Sequence, residues 1–128
     1  MVKKYMAPPK IFPKFEGLEH LTSAVIICSE RFSIDYMNPS AEIMLEISHD
    51  QACGQVMSLF FEEFDLFKHA ALSAKKSQSA FRENEVFIRS KQNKTLCVTF
   101  TVSWLGNSDY YLIEMIQMDQ HLRIAKEE

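Results

Sequence analysis

Hydrophobic and polar residues along this chain follow two different periods, and the changes between them mark the predicted elements. The clearest period is that of a half-buried strand, in which apolar residues alternate with polar or small ones. It runs through residues 96–104, whose apolar members are Leu96, Val98, Phe100, Val102 and Trp104. A more polar strand, near a sheet edge, is predicted over 81–90. Segments 23–30, 33–37 and 110–118 predict three further strands, of which the first and last are apolar at both parities.

Two short helices are predicted after the second strand. Asn38 is a favourable N-cap, and the helix that it starts is expected to run through Glu46. Ser48 with Gln51 three residues later is typical of the start of a second short helix. Gly54 is placed to end that helix in the left-handed conformation.

A tight turn and a longer helix follow. Residues 56–61 (VMSLFF) are apolar and are expected to turn against the core. Residues 65–76 then have the period of a helix with one apolar stripe. The stripe consists of Leu66, Phe67, Ala70, Ala71 and Ala74.

The order of two strands, several helices and three strands predicts an α+β domain. We expect one five-stranded antiparallel sheet, with the short helices between strands 2 and 3 packed on one face. A half-buried antiparallel strand is polar on one side, yet the first and last strands here are apolar on both. The second sheet face must therefore also be covered, by the N-terminal leader, by a partner subunit or by both.

The last strand indicates which residues lie on that second face. Glu114 would be costly against a closed core unless it were paired. We therefore expect Leu112, Glu114 and Ile116 to face outward, and Leu18 and Leu21 to pack on the same face. The predicted result is a homodimer. The alternative is a monomer in which the leader seals this face.

Composition and charge exclude several classes of protein. The 128 residues are 47% hydrophobic and 24% charged, enough to bury a core in one domain and unlike a disordered chain. A net charge of −3 argues against nucleic-acid binding, because binding to phosphates needs a concentrated basic face. The lysines that do cluster lie in residues 1–17, together with three of the four prolines. No apolar run approaches the roughly 20 residues that span a bilayer, and no signal peptide occurs, so a cytoplasmic protein without membrane contact is expected.

Recognisable catalytic and metal-binding motifs are missing from the sequence. Three cysteines without a C-x-x-C pair predict free thiols and no metal site. No hydrolase, zinc-protease or nucleotide-binding motif occurs in a chain with only three glycines. Glu62 and Glu63 are adjacent carboxylates on a predicted turn, and we interpret them as solvated.

The order of elements, with N-P-S-A-E at residues 38–42, resembles the PAS domain over residues 18–118. Three segments are similar to the sensor domain of NtrB-type nitrogen-regulation histidine kinases: HLTSAV at 20–25, VTFTVS at 98–103 and LIEM at 112–115.

The resemblance also predicts how the chain is organised. QHLRI at 120–124 resembles the start of the helix that enters the kinase core in those proteins. We therefore expect an irregular leader over 1–17, a sensor domain over 18–118 and the start of an output helix over 119–128.

This resemblance implies a non-catalytic input and dimerisation module. Such a module relays its conformational state to a kinase core outside this chain, and through that core to a response regulator. The phosphoacceptor H-E-x-x-N motif and the nucleotide-binding boxes do not occur here. The chain itself is therefore expected to have no enzymatic activity.

A ligand-binding sensor is the alternative that the resemblance leaves open. PAS domains often have a cavity between sheet and helices, which Met44, Phe60, Phe67 and Phe100 could line around a small apolar ligand. These large side chains could equally fill the space, as the dense packing of protein interiors favours.

No cofactor is expected. Haem-binding relatives carry a ligand His on the long helix, where His69 lies, although a single His on a helix is usually structural. Flavin-binding relatives place a Cys after the glycine that corresponds to Gly54, and Met57 occupies that place.

Overall fold

The computed structural model describes residues 23–118. The predicted leader over 1–17, the residues Leu18 and Leu21, and the predicted output segment over 119–128 lie outside the described residues. The elements in chain order are β1 (Ala24–Ser29), β2 (Ile34–Met37), α1 (Pro39–Leu45), α2 (His49–Ala52), a 3-10 turn (Met57–Leu59), α3 (Phe64–Ser77), β3 (Ala80–Arg89), β4 (Thr95–Leu105) and β5 (Tyr110–Gln117).

The five strands form one sheet in the order β2-β1-β5-β4-β3, with every neighbouring pair antiparallel. This confirms the predicted α+β architecture. β5 is the central strand and β1 lies beside it. β3 lies at an edge, as its polar sequence predicts.

The predicted helix starts are confirmed by their capping bonds. Oδ1 of Asn38 accepts from the backbone N–H of Ala41 at 2.9 Å, and Oγ of Ser48 accepts from that of Gln51 at 3.2 Å. Gly54 adopts the left-handed conformation with φ +92°. Its N–H, however, donates to the carbonyl of Ile34 on β2 at 2.8 Å, so this glycine ties α2 to the sheet.

Helix α3 packs on β3 and β4 and covers the inner face of the sheet. Its buried stripe consists of Phe67, Ala70, Ala71 and Ala74, while Leu66 is half-buried at the margin. Three alanines in this stripe allow the helix to lie close to the strands. Among residues 23–118, no helix is long and apolar enough to cross a membrane.

Strand β3 contains an irregularity that the sequence pattern did not predict. Its register with β4 shifts between Glu83 and Val86, and Glu85 has φ +55°. The shift brings Val86 and Ile88 to the inner face, where both are buried in the core. Without this shift in register, Val86 and Ile88 would project from the outer face of the sheet.

Candidate functional site

The face of the sheet away from the helices is the first candidate site, and we call it the outer sheet face. Strand register places Val25 opposite Glu114, and Ile27 opposite Leu112. On the other side of β5, Thr99 pairs with Ile116. These residues share one face, since directly paired residues of antiparallel strands project to the same side.

The predicted orientation of β5 is confirmed. Tyr111, Ile113 and Met115 lie in the core cluster beneath the helices. Glu114 faces the other way, where its Oε2 accepts from the hydroxyl of Ser23 at 2.8 Å. This hydrogen bond provides the pairing that a part-buried carboxylate requires.

Burial across the outer sheet face is uneven. Val25 and Ile27 on β1 are 1% and 0% exposed, although they lie outside the core cluster under the helices. Leu112 is half-buried, and Ile116 at the end of β5 is 50% exposed. The apolar surface of this face is therefore open mainly toward the end of β5, from which the chain leaves the sheet.

The space between helices and sheet holds a cluster of aromatic rings. The centroids of Phe67 and Phe100 are 5.6 Å apart, and both side chains are fully buried. Phe61 stacks on Phe67 at 4.6 Å and meets Phe100 edge to face at 5.5 Å. Two of the four predicted pocket residues thus lie in contact at the centre of the core.

The other two predicted pocket residues belong to the same core or pack against it, but each also lines a groove at the surface. Phe60 is buried but lines an open groove beside the β3–β4 turn. Met44 is half-buried and lines a separate groove with Ile43 and Ile116. The four residues therefore share one core, but Phe60 and Met44 line two different surface grooves.

The sequence reasoning missed Phe32 and Phe64. Phe32 has φ +66° in the β1–β2 turn, yet its ring stacks on Tyr111 at 5.5 Å and meets Phe67 edge to face. Phe64 contacts both Phe32 and Phe67. Four phenylalanines within residues 60–67 were the available signal for an aromatic cluster, whereas a turn residue such as Phe32 gave none.

Solved structures with this architecture are known. Neither a protein-family model nor a curated protein matches the sequence. The PAS domain of nitrogen regulation protein NR(II) from Vibrio parahaemolyticus superposes with a TM-score of 0.68 at 20% identity, covering 80% of this chain and 94% of that one. The chain has the PAS fold.

Two further PAS-fold structures come from different kinds of regulator. One is a domain of a sensory box sensor histidine kinase/response regulator from Geobacter sulfurreducens, with a TM-score of 0.68 and 15% identity over 86% of this chain and 94% of that one. The other is a PAS domain, in complex with ethanol, of a LuxR-family transcriptional regulator from Burkholderia thailandensis. Its TM-score is 0.65 and its identity 6%, over 80% of this chain and 94% of that one.

A second candidate site in this PAS fold surrounds the hydroxyl of Tyr111. The side chain is fully buried, and among the described residues its hydroxyl has no hydrogen-bond partner. Trp104 meets the Tyr111 ring at 4.9 Å. Burial raises the pKa of the Tyr111 phenol, with smaller contributions from Cys28 and Glu30. The hydroxyl is therefore neutral at ordinary pH and can donate to an acceptor.

His69 does not point into the aromatic cluster. It is exposed on α3, and its ring meets that of Phe81 edge to face at 6.4 Å. A haem ligand must lie beside a cavity that holds the macrocycle. No group of three His, Cys, Asp or Glu side chains that could hold a metal ion occurs within residues 23–118.

Helix α2 carries a pair that the sequence reasoning did not assign. Nε2 of His49 lies 3.4 Å from Sγ of Cys53, and that sulfur lies 3.3 Å from the carbonyl oxygen of Asp35. Nδ1 of the same histidine lies 3.2 Å from the backbone nitrogen of Met37. The spacing of four residues was the signal for the contact between His49 and Cys53. The contacts with Asp35 and Met37 attach the end of α2 and its C-cap to β2.

Proposed function

We propose that this PAS domain is the signal-input and dimerisation module of a two-component sensor histidine kinase. Two copies associate through the outer sheet face, with Leu112, Glu114 and Ile116 at the contact and Leu18 and Leu21 packing beside them. The kinase core lies outside this chain, and the response regulator is reached only through that core. Phosphorylation and dephosphorylation therefore take place elsewhere.

The observation that carries the proposal is the apolar surface at the end of β5. Ile116 is 50% exposed and Leu112 is half-buried, on a strand at the centre of the sheet. Ile116 lines a groove with Ile43, which is 79% exposed, and with Met44, and a contiguous apolar patch of this kind is typical of a surface on which another surface packs. β5 ends at Gln117, so a partner on this surface would contact the strand that leads into the following segment.

The nitrogen-regulation type rests on two kinds of similarity. The segments at 98–103 and 112–115 form the middle of β4 and of β5, two of the strands that contribute to the outer sheet face. The structural similarity to the PAS domain of nitrogen regulation protein NR(II) covers 80% of the chain. In this proposal, the domain sets the geometry of a dimer and needs no bound metabolite.

A ligand-binding sensor is the second candidate, and one observation favours it. Among residues 23–118 the buried hydroxyl of Tyr111 has no hydrogen-bond partner, which is costly unless a bound molecule accepts a hydrogen bond from it. A small ligand with one acceptor atom would satisfy it. His69 is exposed, so haem has no comparable support.

Native mass spectrometry of the untagged chain separates these two candidates, because it reports subunit number and retained ligand together. The proposed function predicts a dimer whose mass is the sum of two polypeptides. Additional mass from a discrete small molecule would favour the ligand sensor. A monomer without extra mass at micromolar concentration would contradict the dimerisation module.

A further inference from the structure

An open groove of about 600 Å³ lies on the helical side of the domain, away from the outer sheet face. Its walls come from two segments distant in sequence: α2 with the 3-10 turn that follows it, and the end of β3 with the turn after it. We call it the basic groove. Its volume falls within the range that binds small organic ligands.

Backbone hydrogen bonds hold these walls together. The N–H of Arg89 donates to the carbonyl of Phe60 at 2.7 Å, which joins β3 to the 3-10 turn. The N–H of Lys91 donates to the carbonyl of Leu45 at 2.8 Å, which joins the β3–β4 turn to the end of α1. The groove is therefore preformed, and a ligand would not need to order its walls.

The charged side chains on the wall are both cationic. Arg89 and Lys91 line the groove with several carboxamides, and none of the described lining residues is acidic. Glu62 lies nearby and pairs with Arg89 at 2.7 Å, so it offsets part of the guanidinium charge. Lys91 is exposed and supplies the remaining positive charge.

The Arg89 guanidinium is held in one orientation. Nη2 donates to Glu62 at 2.7 Å and Nη1 donates to Oδ1 of Asn93 at 3.2 Å. These bonds use two of the five N–H donors of a guanidinium. The remaining donors lie on a planar group whose geometry matches a carboxylate, and its fixed position lowers the entropy lost on binding.

The floor of the groove is apolar. Phe60 is buried there, and Leu59 is 53% exposed although it lines a concave surface. Gln51 and Gln55 also line the groove. An alkyl or aromatic body would cover Leu59, while a carboxylate on the same molecule would reach the cations.

We propose that the basic groove binds a small amphiphilic carboxylate. Its carboxylate contacts Arg89 and Lys91, and its apolar body lies over Leu59 and Phe60. The bound molecule connects α2 to the β3–β4 turn, and so links two parts of the domain that the sheet does not join directly. This site is separate from the aromatic cluster and from the outer sheet face.

Octanoate is a suitable probe, and 1-octanol is its neutral counterpart of equal length. We would titrate each into the ¹⁵N-labelled chain and follow amide shifts by NMR. The proposal predicts saturable shifts with octanoate around residues 51–60 and 89–93, and affinity for octanol weaker by roughly tenfold. Equal affinity for both probes, or octanoate shifts centred on Phe67 and Phe100, would overturn it.

Two variants test the cations separately. Lys91→Gln removes an exposed charge and leaves the backbone bond to Leu45 in place, and it should weaken octanoate binding several-fold. Arg89→Gln should weaken it by roughly tenfold. Lys76→Gln removes an equal charge from the last turn of α3 and should leave the affinity unchanged. If Lys91→Gln binds octanoate as tightly as the unaltered chain, the proposal is wrong. The amide chemical shifts report octanoate binding whether the chain is a monomer or a dimer. The result of this test is therefore independent of the proposed dimerisation.

Discussion

The side-chain oxygen of Asn38 accepts a hydrogen bond from the backbone N–H of Val25 at 2.9 Å, so the N-cap of α1 is also a buried link to β1. The same oxygen caps the helix through Ala41 at 2.9 Å, and Nδ2 donates to the carbonyl of Ser23 at 3.1 Å. Asn38 is fully buried. One carboxamide therefore fixes where the first helix leaves the sheet.

Replacement of Asn38 by alanine should destabilise the domain strongly. It leaves the N–H groups of Val25 and Ala41 and the carbonyl of Ser23 without this partner in a buried environment. We expect a loss of about 3 kcal/mol in the free energy of unfolding. Urea denaturation followed by circular dichroism measures this loss.

Ser48→Ala provides the matched control for this prediction. It removes the N-cap of α2, whose hydrogen bond to Gln51 is exposed. Its cost should be about 0.5 to 1 kcal/mol. Equal losses in the two variants would show that the link from Asn38 to β1 adds nothing beyond helix capping.

Tyr110 and Tyr111 are adjacent, and removal of their hydroxyl groups should change the free energy of unfolding in opposite directions. The Tyr111 hydroxyl is buried and has no hydrogen-bond partner within residues 23–118, so Tyr111→Phe should raise the free energy of unfolding by about 1 kcal/mol while keeping the ring contacts. Asp35 contributes to the raised pKa of Tyr110 through a hydrogen bond and its charge, so loss of this interaction in Tyr110→Phe should lower the free energy of unfolding. Denaturation of both variants tests the pair, and a destabilised Tyr111→Phe would indicate that its hydroxyl does have a partner.

The interaction of Tyr110 with Asp35 also predicts that the free energy of unfolding depends on pH. Burial, followed by the hydrogen bond and charge of Asp35, raises the pKa of Tyr110 from 10.0 to about 12. Because the folded pKa exceeds the unfolded one, the stabilisation is complete below pH 10 and is lost as the pH rises toward 12. The free energy of unfolding should therefore fall less steeply over this range in Tyr110→Phe. Identical slopes would contradict the contact.

The three thiols should differ in reactivity. Cys28 is buried, and burial, with a smaller contribution from Asp35, raises its pKa far above that of an ordinary thiol. Cys97 is also buried, whereas Cys53 is half-buried. Brief treatment with iodoacetamide at neutral pH should modify Cys53 first, as peptide mass mapping would show. Cys53→Ala should abolish the fast reaction, and its persistence would place the accessible thiol elsewhere.

Much of the fold could be predicted because local signals agreed with the tertiary environment. The alternation from Leu96 to Trp104 matches β4, and the parity of Glu114 correctly identified the outward residues of β5. The bulge in β3 was missed because Glu85 adopts a positive φ that its residue type does not signal. The bulge results from the packing of the edge strand β3 on the core.

The candidate sites were less predictable than the fold. Phe67 and Phe100 meet as core residues, but Met44 and Phe60 lie in separate grooves because their positions depend on how α1 and the 3-10 turn pack. The basic groove gave no sequence signal, since Leu59 and Arg89 are 30 positions apart. Only the pairing of segments in three dimensions places them together.

Analytical ultracentrifugation of Ile116→Glu tests the central claim most directly. Ile116 is 50% exposed on the outer sheet face, whereas Leu72 is 48% exposed on α3, on the opposite side of the sheet. A buried charge at the proposed contact should convert the dimer to a monomer, while Leu72→Glu should leave it a dimer. If the unaltered chain sediments as a monomer, or if both variants remain dimeric, association through the outer sheet face is contradicted.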